Sequence, residues 1–237
     1  MNKRIKTAAL LLSLGVRAIS VAHGQATPGV AQAVADPEAA KKAAEWTAAL
    51  QLKDAKKEAA VQQVISTHLA AIREYHNAHP YTETPAGLNP GTGQPLSTMD
   101  RTLITVSAMP KSIHDNLMAG LRQQLTPEQV EAVLDKYTIG KVAFTLNGYK
   151  SIVPDLTPTE EAVIVANLKQ AREQAVDFKN MKEISAVFEI YKNKNEAYLN
   201  THGRNWRELF KAYVDAANAK KAADKAKAAA APAAAPE

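Results

Sequence analysis

Nine residues from Arg73 to Tyr81, REYHNAHPY, hold two histidines, two tyrosines and an arginine. Imidazoles at this spacing suit metal ligation, acid–base chemistry or the holding of a polar ligand; the same residues also cap and pack helix ends. Pro80 turns His79 out of helical backbone, so the two rings need not share a face. There is no His-Glu-x-x-His and no cysteine ligand, and no metal set is assigned.

Further polar groups cluster at two other places. Ser112, His114 and Asp115 lie close together behind Pro110, with Lys111 beside them. Nucleophilic triads are assembled in space and not in sequential order, and no Gly-x-Ser-x-Gly elbow is present. The stretch HGRNWRELF places Arg204, Asn205, Trp206 and Arg207 at a helix start. An indole stacks on a sugar ring while arginine and amide donors hold hydroxyl or carboxylate oxygens; alternatively the tryptophan anchors the last helix and the arginines are solvated. His68 shares a stripe with Ile65 and Leu69 and reads as a satisfied core histidine. The candidates for proton transfer are thus His76, His114 and Asp100. Those for ligand binding are His79, Tyr81, Arg101, Lys111, Arg204, Asn205, Trp206 and Arg207. No cofactor is assigned, because NPGTGQP lacks the lysine and the following helix that a phosphate loop needs.

These residues must be positioned by a mainly α, single-domain helical bundle. Asp36-Pro37 caps a first helix, and Val61, Ile65, His68, Leu69, Ile72 and His76 recur at helical spacing in a second. His79 to Ser97 holds four prolines and three glycines, which predicts a long irregular loop. Ser97 and Asp100 then cap a short helix ending near Met109-Pro110, and Lys111 to Gln124 forms another. Leu-Thr-Pro opens two further helices at Leu125 and Leu156, with Gln129 and Glu160 placed to complete capping boxes. Between them, residues 141–153 carry Asn147-Gly148 among β-branched and aromatic residues, the signal for a small β-hairpin, with an irregular loop as the alternative. The apolar phase slips around Asp177–Met181, where a break is expected. Seven of the thirteen aromatics lie from Phe178 onward, so the last two helices are expected to supply much of the core.

A basic start, an apolar run from Thr7 to Val16 and the small residues Gly24 and Ala26 predict a signal peptide over 1–26, followed by a linker over 27–36. The helical domain then covers 37–216, and 217–237 is an Ala/Lys/Pro tail expected to be disordered or weakly helical. Export to the periplasm or beyond follows, with no membrane span left after cleavage. The formal charge of +5 belongs outside the fold: four basic residues leave with the leader, and the tail holds four lysines against two acids. The portion between sits near −1, which excludes nucleic acid as a partner. The chain has no cysteine and hence no disulfide, and the roughly 190 remaining residues suffice for an unstapled core.

The runs HLAAIREYHNAHPYTETPAGLNPGTGQPLSTMDR, SAMPKSIHDNLMAGLRQQLTPEQVEAVLDKYTIGKVAF and VPDLTPTEEAVIVANLKQAREQAVDFKNMKEISAVFEIYK resemble an uncharacterised family of exported bacterial proteins, a domain of unknown function. The resemblance spans about Trp46 to Tyr213. It implies a role near plant-polysaccharide-derived carbohydrate, with an oligosaccharide or acidic sugar as ligand. A shallower resemblance, through Leu125-Thr-Pro-Glu-Gln129, is to small periplasmic stress chaperones. The alternative function is therefore a helical envelope interaction protein with a protein partner and no small-molecule site.

Overall fold

The computed structural model describes residues 36–230; the expected signal peptide, all but the last residue of the expected linker, and the last seven residues lie outside them. Among the described residues the chain forms helices α1 (Pro37–Ala48), α2 (Ala55–Ala78), α3 (Thr98–Ser107), α4 (Lys111–Gln124) and α5 (Pro127–Thr138). After these come α6 (Lys141–Ile152), α7 (Pro158–Ala175), α8 (Met181–Thr201) and α9 (Trp206–Ala230). The mainly α expectation holds, and none of these helices is long and apolar enough to cross a membrane.

Local chemistry explains most boundaries. Asp36 accepts hydrogen bonds from the Glu38 and Ala39 amides and opens α1, while Asp54 does the same for α2. Ser97 with Asp100, Thr126 with Gln129, and Thr157 with Glu160 form complete capping boxes. Each such cap is worth about 1 kcal/mol to its helix. Between α2 and α3 the proline-rich stretch holds one 3₁₀ turn, Tyr81–Glu83, and a single Leu88–Pro95 bridge.

The 141–153 segment departs from both readings of the sequence. It is helix α6, entered through the left-handed pair Ile139 and Gly140 at φ 52° and 64°. A two-residue period would put Val142, Phe144 and Leu146 on one face. In the helix Val142, Leu146 and Tyr149 share a face and pack into the core, while Phe144 is 77% exposed. Tyr149 Oη also donates to the Lys192 carbonyl at 3.1 Å. A lone hairpin is marginal in water, so this burial overrides the Asn-Gly turn signal.

The core has two parts. Ala43, Val61, Ile65, Leu121, Val133 and Tyr137 join α1, α2, α4 and α5, with Trp46 and Leu50 packed against them. Tyr149, Ile164, Leu168, Val187, Phe188 and Leu199 join α6, α7 and α8. Contrary to the aromatic count, α8 is central but α9 is not: Phe210 and Tyr213 on α9 are 47% and 41% exposed. Helix α9 runs on through the Ala/Lys stretch to Ala230, so of the two states expected for the tail its described part takes the helical one. Alanine and lysine are strong helix formers, and nothing in that stretch breaks the ladder. The break near Asp177 is present, between α7 and α8.

Candidate acid–base site

That break lies at the seam of the two cores. Val176 buries its side chain in the first, and Phe178 packs against the second. Asp177 is thereby fixed between them, with its carboxylate turned toward α2 and α4. Oδ1 accepts from His68 Nε2 at 3.1 Å and Oδ2 accepts from His114 Nδ1 at 2.9 Å. Tyr137 Oη lies 3.1 Å from His68 Nδ1 and donates to it, which leaves the His68 proton on Nε2 for the carboxylate. The Asp177 carbonyl accepts from His76 Nε2 at 3.2 Å. Three histidines from two helices thus converge on one aspartate.

Burial alone would push the Asp177 carboxyl up, but the hydrogen bonds from His114 and His68 outweigh it and hold it below the ordinary carboxylate value. The Asp177 hydrogen bond raises the His114 imidazole above its usual value, against the opposing effect of burial. His68 is almost wholly buried, with its side chain 1% exposed, whereas that of His114 is 18% exposed and reaches a cleft. With Nδ1 committed to Asp177, His114 Nε2 is the nitrogen left open, 3.8 Å from Glu173 Oε1 and beyond hydrogen-bond reach of it.

The cleft measures about 990 Å³ and opens between α3, α4, α7 and α8. Leu103, Phe178 and Tyr191 give it apolar and ring surfaces; Lys111, Gln170 and Glu173 give it polar ones. An imidazole oriented by a carboxylate through Nδ1 can take or give a proton at Nε2. His68 orients the carboxylate in turn. Among the described residues no group of three or more acids, histidines or cysteines is placed to hold a metal ion.

The residues singled out in the sequence separate into three groups. His76 and His114 meet at Asp177, and Lys111 stands at the cleft rim, paired with Asp115. His79 stacks on Tyr75 at 4.3 Å and donates to the Tyr75 carbonyl, closing α2. Tyr81, Asp100 and Arg101 hold the irregular loop. Arg101 lies over the Tyr81 ring at 5.4 Å and donates to the Thr84 carbonyl at 2.9 Å, and Asp100 completes its capping box. Arg204 binds Glu160 through two bonds of 2.9 Å and Asp155 at 2.7 Å. Asn205 caps the start of α9, Trp206 packs on Tyr149 at 5.3 Å, and Arg207 is exposed. Sequence reasoning missed Asp177; its one signal was the apolar phase slip that put a polar break there.

A family model described as a protein of unknown function (DUF3826) matches residues 37–219. No curated protein matches the chain.

Proposed function

The chain belongs to that family of unknown function, and from the chemistry of its cleft we propose an exported protein that binds or processes a carbohydrate-derived ligand, with His114 as the acid–base group. The observation behind this reading is the sharing of Asp177 by His68 and His114, which leaves His114 Nε2 open to the cleft. The lining suits a sugar: Tyr191 and Phe178 supply ring faces for the apolar side of a pyranose, and Gln170, Gln174 and Glu173 meet hydroxyls. Lys111, at the rim, would have to exchange its Asp115 partner for the carboxylate of an acidic sugar.

The test is thermal unfolding of the chain from residue 27 with neutral and acidic plant-derived oligosaccharides, followed by product analysis for any that stabilise it. A ligand at a hundred times its dissociation constant adds ~2.7 kcal/mol, which moves the midpoint by several degrees in a domain of this size. His114→Gln should retain the shift and lose turnover if the ligand is processed. A flat panel with no turnover counts against the reading.

A second reading, a helical interaction protein, is favoured by the exposed rings of Phe144, Phe210 and Tyr213. It expects the domain to suppress aggregation of an unfolded client, and a domain without that effect is not such a protein.

A further inference from the structure

Away from the histidines, α6, α8 and the start of α9 enclose a second cavity of about 740 Å³. Its walls carry Phe144, Tyr149, Trp206, Phe210 and Tyr213. Trp206 and Phe210 stack at 6.1 Å with their planes 23° apart, giving a nearly continuous ring surface. Phe144 is 77% exposed beside them, an unusual amount of open ring surface.

Four charged groups line the cavity, and two neutralise each other: Lys192 Nζ lies 2.8 Å from Glu189. The other two have no ion-pair partner among the described residues. Lys141 Nζ rests 5.6 Å above the Phe188 ring. The Glu196 carboxylate makes no hydrogen bond or close ion pair; burial raises its pKa and Glu189 adds to this, against the opposing charge of Lys192 one turn before it. Glu196 lies eight positions beyond Phe188 on α8, about 12 Å along the helix axis. The groove therefore has an unpaired cation toward one end, an unpaired carboxylate toward the other, and aromatic faces between. A neutral sugar needs no such pair of poles.

We propose that this groove binds a short peptide with free ends, its terminal ammonium at Glu196, its terminal carboxylate at Lys141 and an apolar side chain against Trp206 and Phe210. Four extended residues reach about 13 Å, comparable to the two turns of α8 between Phe188, on which Lys141 rests, and Glu196. The site is independent of the His114 cleft.

The probes are the tetrapeptide Ala-Phe-Leu-Ala with free ends, its N-acetylated form and its C-amidated form, titrated calorimetrically into the chain from residue 27. The free peptide should bind, and each cap should weaken binding at least about tenfold, the scale of a lost charge-assisted contact. In Glu196→Gln the acetylated and free forms should bind alike. In Lys141→Met the amidated and free forms should bind alike. Both variants sit on partly open surface and should keep the wild-type unfolding midpoint, and His114→Gln should bind the peptide unchanged. Equal binding of capped and free peptides, or no binding at about 1 mM, overturns the proposal. So does light scattering that shows a dimer broken by Phe210→Ser.

Discussion

Replacing Asp177 with Asn removes one charge at the seam and leaves its shape. The amide oxygen can still accept from His68, but the bond to His114 loses its carboxylate. A hydrogen bond to a charged group contributes about 1.5–3 kcal/mol net. The Asp177 and His114 side chains are only 15% and 18% exposed, so solvent screens the pair incompletely. The expected cost is about 2 kcal/mol, or a fall of about 4–8 °C in midpoint for a domain of this size. The pH dependence follows from the two directions of shift. Asp177 is depressed, so its contribution is full above the ordinary carboxylate value and is lost as pH falls through the lower folded value. His114 is raised, so its contribution is full below the ordinary imidazole value and is lost as pH rises through the higher folded value. The pair therefore stabilises most between about pH 4 and 6.5. Thermal melts of wild type and Asp177→Asn by circular dichroism should differ most near pH 5.5 and least near pH 9. Adding His114→Gln should reveal a coupling of about 1–2 kcal/mol at pH 5.5. A destabilisation that is equal across this range, or strictly additive single variants, would refute the pairing.

Gly148→Ala should raise stability by about 0.5–1 kcal/mol in urea unfolding, because Gly148 lies inside α6 and an added Cβ meets nothing within 4 Å. A hairpin glycine with positive φ would instead be destabilised by alanine. Gly120→Ala should destabilise despite a helix-propensity gain of about 1 kcal/mol, because its Cβ would lie 2.6 Å from Val64 Cγ2 on α2. The double change with Val64→Ala should recover much of the Gly120→Ala clash, read by the same unfolding assay. Arg204→Ala should lower the midpoint while leaving the His114 titration unchanged. Glu160, held down to about 2 by its Arg204 hydrogen bonds, stabilises above the ordinary carboxylate range and loses this as pH falls toward that value. Acid unfolding of the variant should accordingly begin at higher pH.

What the sequence disclosed was what neighbours in the chain decide. Asp36, Ser97, Thr126 and Thr157 are helix caps because their partners lie two or three residues on, within the reach of pattern reading. The stripe from Val61 to His76 is likewise a local period. Asp177 escaped because its partners are remote: His114 is 63 positions away and His68 is 109. No spacing records such a contact. Arg204 was visible as a cation, but its occupation by Asp155 and Glu160, 49 and 44 positions distant, was not. Residues 141–153 show the opposite failure: Asn147-Gly148 is a strong local signal, defeated by Val142, Leu146 and Tyr149 packing on α7 and α8.

The measurement closest to the central claim is a titration of the His114 imidazole by nuclear magnetic resonance, free and with each oligosaccharide that stabilises the domain. The account predicts a midpoint above the ordinary imidazole value near 6.5 in the free protein. It also predicts that the midpoint falls in Asp177→Asn and moves when a ligand fills the cleft. A midpoint at or below 6.5 that no stabilising ligand shifts would contradict an acid–base role for His114.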